Sequence, residues 1–375
     1  MHETKSGVRL FRIRGVTSLE DIELRPGRLT VLIGANGSGK SNVLRALQMT
    51  AFLRTQSLQR FVGDAGGAAA ILHYGPKRTQ TISLEIEFFQ EDHSNLYRAR
   101  LGHAAGDTLI FLDEAVAYDD GKHDGMGYQL VSLGTGHRES LLRDAKDENA
   151  TARAVYWWLS QFTFFHFHDT STNSALRTHA RSVDDRFLRS DGSNLAAYLF
   201  RLAESTEEAD VKAWRRINRF VQRVNPGIKE LVPTRIGGTS DAVRLDWIDD
   251  RDERFGVHQL SDGSLRAIAL ITALAQPTAN LPRFMTIDEP ELGLHPAAIG
   301  LIAALARSRS HKCQILFATQ STAFLDHFRP EEVVVTERRD GRTHLERLDA
   351  GDLQDWLEEY ALSEIFDKGI IGGRP

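Results

Sequence analysis

A glycine-rich segment, Gly34-Ala35-Asn36-Gly37-Ser38-Gly39-Lys40-Ser41, has the residue types and spacing of a phosphate-binding loop. It fits the pattern G-x-x-x-x-G-K-S and lies between a predicted buried strand over residues 29–33 and a predicted helix that begins near Asn42. Glycines allow the backbone to wrap around phosphate groups, so that successive N–H groups and the helix N-terminus face the anion. Lys40 should reach the β- and γ-phosphates of ATP, and the Ser41 hydroxyl should ligate Mg²⁺. The residues that we expect to bind the nucleotide here are Gly34, Asn36, Gly37, Ser38, Gly39, Lys40, Ser41 and Asn42.

Two carboxylates, Asp288 and Glu289, directly follow an apolar strand that is predicted over residues 283–287. Two acids at the end of a strand are often only a solvated turn. In a chain with a phosphate-binding loop, however, Mg²⁺ has to be held opposite Ser41, and Asp288 is the candidate ligand. Glu289 is the candidate catalytic base, because a carboxylate at this place can polarise a water molecule toward the γ-phosphate.

A third segment, Leu260-Ser261-Asp262-Gly263-Ser264-Leu265-Arg266, precedes a predicted buried helix over residues 267–275. It matches L-S-x-G-x-x-R, the signature of ABC-type ATPases, and Ser261 lies 27 residues (288 − 261) before Asp288. The Ser261 hydroxyl and the helix N-terminus offer donors to a phosphate, although Ser261 could also serve only as a helix cap. Gln320 follows a predicted strand over residues 314–318, and its amide can donate to a γ-phosphate or orient a water molecule.

These segments resemble those of the ABC/SMC/RecF-type AAA ATPases. Within that group the chain is most similar to the bacterial predicted-ATPase branch, which is related to the ATPase domain of the OLD-family (overcoming-lysogenisation-defect) nucleases. The resemblance implies an α/β fold, namely a RecF/ABC-type ATPase head (a P-loop NTPase) with a β arm and a helical insertion between its two lobes. The further segments that carry it are Asp288-Glu289-Pro290-Glu291, Leu294-His295-Pro296, Ala318-Thr319-Gln320-Ser321, Phe165-His166-Phe167-His168-Asp169-Thr170-Ser171, Asp191-Gly192-Ser193-Asn194-Leu195 and Gly372-Gly373-Arg374-Pro375.

The resemblance also implies how the nucleotide sites are completed. In these ATPases two heads enclose two ATP molecules, so Ser261 and Gly263 would contact the γ-phosphate that the other copy of the chain holds. His295 and Pro296 would lie at the same dimer interface. Gln320 stands where many relatives have a switch histidine, and a glutamine cannot carry a charge. We therefore expect slow hydrolysis of ATP to ADP and phosphate, without a histidine inflection in the pH profile at this position.

The order of predicted elements gives three domains. Residues 1–160 would form the first ATPase lobe, with the phosphate-binding loop and an antiparallel β arm over residues 79–134. Residues 161–256 would form the helical insertion, which includes an amphipathic helix over residues 209–224. Residues 257–375 would form the second lobe, ending in a hairpin across residues 339–342 and a helix over residues 352–366.

Four basic residues are expected on one face of the amphipathic helix, within about 60° of each other at 100° per residue. This face could lie on a nucleic-acid phosphate backbone or on an acidic partner protein. A solvated cationic face that covers an apolar one is an equally good interpretation. The four residues are Lys212, Arg216, Arg219 and Arg223.

His166 and His168 would share one face of a strand, as two metal ligands do. Since no further ligand cluster accompanies them, we favour a structural or nucleotide-sensing role over zinc. Gln161 and Asp169 are candidates for the lobe-linking loop that, in the relatives, touches Mg²⁺ or the attacking water.

The composition bounds the class of protein. The 375 residues include 46 Lys and Arg against 51 Asp and Glu, so the net charge is −5 (46 − 51), and 41% hydrophobic residues exclude a mostly disordered chain. A single cysteine, Cys313, excludes an internal disulfide and a Cys-rich zinc module. Because no apolar run approaches the ~20 residues of a membrane span and no secretory signal is evident, we expect a cytoplasmic protein without membrane partners.

The sequence continues for 55 residues (375 − 320) after Gln320, without the metal-dependent nuclease domain that follows the ATPase in OLD-type proteins. We therefore expect a homodimer or higher oligomer that gates a separate effector, a nuclease or toxin, in the phage defence that the resemblance suggests. Two alternatives stay open. One is an autonomous RecF-like DNA-binding repair ATPase, which DNA-stimulated turnover would favour. The other is an ATP-locked sensor or scaffold, which tight nucleotide retention with negligible turnover would favour.

Overall fold

The structure is a computed structural model that describes residues 6–121, 128–237 and 241–373. Its residues group into two compact units, one formed by Thr163–Phe328 and the other by the segments up to Phe162 and from Arg329 onward. Arg374 and Pro375, which end the last of the resembling segments, lie outside the described residues. Across the described ranges, no helix combines the length and the apolar character that crossing a membrane requires. The three-domain division stays a prediction.

Most strands of the first unit form one antiparallel sheet of six strands in the order β2-β1-β4-β5-β6-β7. Inward-facing residues of β4, such as Ile82, Leu84 and Phe88, alternate with more exposed ones, which is the pattern of a sheet with one covered face. The antiparallel strands predicted over residues 79–134 are present in the described part of that range, residues 122–127 lying outside it, and they continue the sheet that β1 and β2 begin. The strands are β1 (Ser6–Val16), β2 (Leu19–Leu24), β3 (Leu29–Ile33), β4 (Thr81–Gln90), β5 (His93–Ala104), β6 (Thr108–Asp119) and β7 (Val131–Gly134).

Helices of the first unit lie against this sheet. The ring of Trp158 stacks on Phe88 of β4 at a centroid distance of 5.6 Å, and Asn149 caps the helix that carries Trp158 by accepting a hydrogen bond of 2.9 Å from Ala152 N. The helices are α1 (Lys40–Arg54), α2 (Leu58–Asp64), α3 (Ala68–Ile71), α4 (Leu142–Ala145) and α5 (Ala150–Ser160).

The second unit has a buried sheet in which β13 and β14 run parallel, and β8 lies on the other side of β13. All six residues of β14 are buried, as expected for a strand covered on both faces. The strands are β8 (Phe162–Phe165), β9 (Ala180–Arg181), β10 (Ile228–Arg235), β11 (Ala242–Asp249), β12 (Arg254–Gly256), β13 (Phe284–Asp288) and β14 (Gln314–Thr319). The helices are α6 (Leu195–Glu204), α7 (Glu208–Val224), α8 (Asp262–Ala275), α9 (Pro296–Arg309) and α10 (Thr322–Leu325).

The predicted helical insertion is only partly helical. α6 and α7 are present where the helical periodicity is strong, and α7 buries Ile217 and Val221 as expected. Residues 228–235, 242–249 and 254–256 instead form the antiparallel strands β10, β11 and β12, and β9 pairs with β11. Short strands with half-exposed faces give a weak sequence signal, which explains why helices dominated the prediction.

The last segment returns to the first unit, where β15 (Val333–Arg339) runs parallel to β3 and pairs with β16 (Arg342–Arg347). The predicted hairpin is confirmed, with Asp340 and Gly341 in left-handed conformations (φ 50° and 77°). The single helix predicted over residues 352–366 is wrong, because the chain forms two short helices, α11 (Gln354–Leu357) and α12 (Leu362–Asp367). The Glu364 carboxylate accepts the Ala361 N–H at 2.9 Å and so starts the second helix anew.

Candidate functional site

The glycines of the phosphate-binding loop are required by their neighbours as well as by the loop conformation. Gly34 follows β3, and a Cβ added there would lie 2.1 Å from the Thr336 carbonyl oxygen. Gly39 has φ +112°, and its Cβ would lie 2.0 Å from Thr343 Oγ1. Gly37 also has a positive φ of +79° but borders open space. The loop therefore keeps its shape through β15 and β16, and its backbone stays available to an anion.

Lys40 is the first residue of α1, and its side chain is held in place by the loop. Nζ donates to the carbonyl oxygens of Gly34 at 2.6 Å and Ala35 at 2.9 Å. Ser41 is exposed on the first turn of α1, and the buried Ser38 Oγ has no hydrogen-bond partner among the described residues. A lysine ammonium, an unused hydroxyl and a helix N-terminus are groups that suit a nucleoside triphosphate with Mg²⁺.

Asn42 has a partner within the protein. Its Nδ2 donates to Ser18 Oγ at 2.7 Å, and Ser18 in turn shares a hydrogen bond of 2.6 Å with Thr343. These bonds fasten the first turn of α1 to β16. The predicted contact of Asn42 with a nucleotide stays a prediction.

Asp288 and Glu289 lie at the end of β13, as expected, and Glu289 has an unusual backbone conformation. Its φ is +44°, a left-handed value that a residue with a Cβ seldom adopts. The Glu289 N–H donates to the Ala318 carbonyl oxygen of β14 at 2.8 Å, which holds this conformation. Strained positions that neighbours over-determine are frequent at functional sites.

Gln320 follows β14 and contacts Glu289 directly, because β13 and β14 are parallel and end at the same edge. Its Nε2 donates to Glu289 Oε1 at 3.3 Å. One residue earlier, Thr319 Oγ1 donates to Glu291 Oε1 at 2.6 Å. Burial raises the pKa of Glu291 above its ordinary value. The amide of Gln320 is thus placed to orient the Glu289 carboxylate.

We expect Gln320→Ala to lower ATP turnover about tenfold, since an unrestrained Glu289 carboxylate spends less time aimed at its target. Steady-state phosphate release would measure this. Gln354→Ala in α11 removes an exposed glutamine and should leave turnover unchanged. Wild-type turnover of Gln320→Ala would mean that Gln320 is only structural.

His168 is the residue of the predicted histidine pair that reaches the acids. Its Nε2 lies 3.4 Å from Asp288 Oδ2, and its Nδ1 lies 3.9 Å from Glu289 Oε2. The hydrogen bond with Asp288 raises the pKa of His168 above its ordinary value, in spite of partial burial. The two histidines do not share a strand face, because β8 ends at Phe165, and His166 Nδ1 lies 3.3 Å from the Phe164 carbonyl oxygen.

The two residues proposed for the linking loop have other contacts. Gln161 Nε2 donates to Ser160 Oγ at 3.2 Å, and Asp169 Oδ1 accepts the Ser171 N–H at 3.0 Å. His168, in the same segment as Asp169, is the residue that lies beside Asp288 and Glu289. The predicted contact of Gln161 and Asp169 with Mg²⁺ or the attacking water stays a prediction.

Arg266, the last residue of the signature, holds the loop that carries His168. This buried arginine of α8 donates from Nε to the Phe167 carbonyl oxygen at 2.8 Å and from Nη2 to the His168 carbonyl oxygen at 2.7 Å. Its Nη1 donates to the Leu292 carbonyl oxygen, four residues after Asp288. The signature helix therefore fixes both segments that border the acids.

Ser261 and Gly263 lie at the start of α8. Ser261 is exposed, and its Oγ caps the helix by accepting the Ser264 N–H at 3.2 Å. A Cβ on Gly263 would lie 2.1 Å from the Gly293 carbonyl oxygen, so glycine is required by this close approach. His295 is also exposed and caps α9 through Nδ1, which accepts the Ala297 N–H at 3.3 Å. The capping role of Ser261 is thus present, and its contact with a second copy stays a prediction.

Of the four basic residues expected on one face of α7, here called the basic stripe, Arg216 does not point to the exposed face. Arg216 turns toward the end of α8, where Nη2 donates to the Ala275 carbonyl oxygen at 2.6 Å, next to Arg309, which donates to Gln276 O at 3.0 Å. Burial, together with Arg216 nearby, lowers the pKa of Arg309 to about 10. Both arginines satisfy carbonyls at a helix C-terminus. The exposed stripe residues are Lys212, which pairs with Glu208, and Arg219 and Arg223.

The fold is similar to that of known Smc head domains. A structure of the Smc head domain with an extended coiled coil bound to the C-terminal domain of ScpA, from Pyrococcus furiosus, is similar with a TM-score of 0.60 at 14% identity, covering 94% of this chain and 99% of that chain. The SmcHead bound to the C-winged helix domain of ScpA gives a TM-score of 0.61 at 14% identity, covering 93% and 99%. These similarities confirm the predicted ABC/SMC-type α/β head.

Similarity in sequence leads to the same group of proteins. The chain is 27% identical over 177 residues to the chromosome partition protein Smc of Xanthomonas oryzae pv. oryzae, over 44% of this chain and only 15% of that protein's length. The narrower resemblance to OLD-family ATPase domains stays a prediction. Residues 29–326 match the model of a family described as "AAA domain, putative AbiEii toxin, Type IV TA system", and AAA domains are ATPases in general. Because the match spans most of the chain, the chain belongs to this family.

Proposed function

We propose that the chain is an ATP-binding and ATP-hydrolysing head that dimerises around ATP and thereby gates a separate effector. The observation that carries this proposal is the arrangement at the end of β13, where Glu289 is fixed in a left-handed conformation and hydrogen-bonded by Gln320. Membership of the AAA family and the presence of the phosphate-binding loop support ATP as the nucleotide that the site binds.

In the proposed reaction a water molecule attacks the γ-phosphorus, the bond to the β-γ bridging oxygen breaks, and ADP and phosphate leave. Glu289 would orient this water and accept its proton, while Gln320 holds the carboxylate in place. Lys40 would offset the charge that develops on the phosphoryl oxygens. Ser41 and Asp288 would hold Mg²⁺, which neutralises charge on the β- and γ-phosphates. The role of His168 would be to orient the Asp288 carboxylate.

The gating part of the proposal draws on the similar heads and on the family. Both Smc head structures named above are bound to domains of ScpA, which supports a separate partner for this head as well. The family's description names a toxin and a toxin–antitoxin system, which supports an effector of the toxin or nuclease class. We propose slow turnover, because Gln320 at the end of β14 is a neutral amide. Unlike a histidine, it cannot become positively charged beside the γ-phosphate.

The dimer is tested by mixing two inactive variants. Lys40→Ala removes the phosphate-binding ammonium, and Ser261→Arg blocks the signature serine, so each variant alone should show almost no turnover. Random pairing puts half of the chains into mixed dimers, each with one complete site of two, so an equal mixture should recover about a quarter of wild-type turnover.

Ser132→Arg, which adds the same charge at an exposed serine of β7, is the matched control and should remain active. Full turnover by Ser261→Arg alone would refute the shared site. The shared site would also be refuted if the mixture recovered no turnover while Ser261→Arg still bound ATP. A wild-type chain that retains ATP without hydrolysing it would favour the sensor or scaffold alternative.

A further inference from the structure

Arg177 is a buried arginine of the second unit that the proposed reaction does not use. It ends a single turn of helix, Ala175–Arg177, which Ser174 Oγ caps by accepting the Leu176 N–H at 3.1 Å. Only 7% of Arg177 is exposed. Because a guanidinium group loses its hydration in such a place, hydrogen bonds to the protein have to compensate for it. The partners of Arg177 therefore indicate what the residue does.

Every nitrogen of the Arg177 guanidinium group donates hydrogen bonds. Nε donates to the Thr170 carbonyl oxygen at 2.8 Å, and Nη1 donates to that of Val257 at 2.8 Å. Nη1 and Nη2 both donate to the Leu260 carbonyl oxygen at 3.1 Å, and Nη2 also donates to Asp262 Oδ1 at 2.8 Å. Three of these five bonds thus end on residues of the signature, Leu260 and Asp262.

The two signature residues that Arg177 holds lie on either side of Ser261. Because a peptide unit is planar, fixing the Leu260 carbonyl group also fixes the N–H group of Ser261. Asp262 begins α8, so its bond with Arg177 fixes the first turn of the signature helix. Ser261 itself is exposed at the N-cap, with an extended backbone (φ −65°, ψ 155°). The hydroxyl that we expect to meet a phosphate is therefore carried by backbone that a buried side chain orients in advance.

The alternative is that Arg177 acts on the acids of its own chain, because Thr170 follows His168 by two residues. The segment of His168 has another anchor, however, since Arg266 Nη2 donates to the His168 carbonyl oxygen at 2.7 Å. Arg177 contributes one bond to this segment and three to the signature. Arg266 thus anchors the segment of His168, and Arg177 mainly anchors the segment of Ser261.

We propose that Arg177 is a positioning residue for the nucleotide that the other copy of the chain holds. It orients Ser261 toward the γ-phosphate across the dimer interface. Loss of Arg177 from one chain therefore impairs the site of the partner and leaves the site of its own chain intact. This inference rests on the proposed function, since it requires two copies that complete each other's sites.

Arg177→Lys tests this role, because lysine keeps the positive charge but has one ammonium group in place of the planar guanidinium fork. The full chain with this change is mixed in equal amounts with Lys40→Ala and, separately, with Ser261→Arg. Phosphate release at saturating ATP is the measurement, and thermal unfolding without ATP reports whether each variant is folded. Arg251→Lys makes the same change at an exposed arginine between β11 and β12 and is the matched control.

Arg177→Lys alone should lose turnover at least about tenfold, and Arg251→Lys should keep it. The mixture with Lys40→Ala should recover about a quarter of wild-type turnover, because half of the chains enter mixed dimers in which an intact signature completes the site of the Arg177→Lys chain. The mixture with Ser261→Arg should show no recovery, because each site of the mixed dimer then meets an impaired signature.

Recovery with Ser261→Arg but not with Lys40→Ala would overturn the proposal, since it would assign Arg177 to the site of its own chain. Wild-type turnover of Arg177→Lys, or recovery with neither partner, would overturn it as well. If Lys40→Ala and Ser261→Arg do not complement each other, the shared site of the proposed function fails first.

Asp262→Ala is the second variant, used if Arg177→Lys does not fold. It removes one exposed carboxylate and one of the three bonds to the signature, so we expect a loss of about threefold. Its mixture with Lys40→Ala should exceed the average turnover of the two components, and its mixture with Ser261→Arg should not. The opposite result would overturn the proposal.

Discussion

Glu289→Gln should lower ATP turnover by about 10²–10³-fold, because the amide has the shape of the carboxylate but cannot accept a proton from the attacking water. The variant keeps the Gln320 neighbour and the left-handed backbone, so ATP binding should be retained. A head that binds ATP and cannot release it as ADP should accumulate as an ATP-bound dimer. Phosphate release and the mass of the complex in ATP, by light scattering, measure the two effects.

Glu358→Gln is the matched control, since it makes the same change at an exposed glutamate of another segment. It should leave phosphate release and the mass of the complex at wild-type values. If Glu289→Gln turns over ATP at the wild-type rate, then Glu289 is not the base. If it loses turnover but stays monomeric in ATP while ATP is bound, the dimer part of the proposal is wrong.

Arg266→Ala should destabilise the fold and also reduce turnover. It leaves the carbonyl oxygens of Phe167, His168 and Leu292 without their donor in a buried place, which we expect to lower the free energy of unfolding by about 3–5 kcal/mol. The loop of His168 loses its anchor at the same time, so turnover of the folded fraction should fall at least about tenfold. Urea unfolding and turnover at low temperature measure these effects.

Arg215→Ala removes an exposed arginine from α7 and is the control for loss of charge and length. A stability change of less than about 0.5 kcal/mol in Arg266→Ala would show that the three carbonyl contacts contribute little. Wild-type turnover in a destabilised variant would separate the stability role from the anchoring of His168.

The parts of the site that are local in sequence could be predicted. The run of Leu29 to Ile33 is apolar throughout, and it forms the buried strand β3 in front of the loop, as the pattern indicates. Asp288, Glu289 and Gln320 follow two further apolar strands, β13 and β14, which are parallel neighbours. The contact between Gln320 and Glu289 follows from that pairing, although the sequence alone did not specify which strands are adjacent.

The parts that depend on long-range packing could not be predicted. Arg266 contacts carbonyls that are 98 and 99 residues earlier in the chain, and no spacing in the sequence indicates such bonds. The position of His168 depends on β8 lying next to β13, which only the sheet order decides. Arg216 has the spacing of a surface stripe, yet its side chain is drawn to the unsatisfied carbonyls at the end of α8.

The bonds between the phosphate-binding loop and β16 have a consequence for how the protein is made. Thr343 Oγ1 donates to the Ser38 carbonyl oxygen across 305 positions of the chain and shares a bond with Ser18 across 325. A ribosome therefore has to add the 305 positions that separate Ser38 from Thr343 before this partner of the loop emerges. Such distant pairings are slow to form. Competence to capture a nucleotide would thus arise only after β16 has been synthesised, and a nascent chain terminated before β16 would lack it.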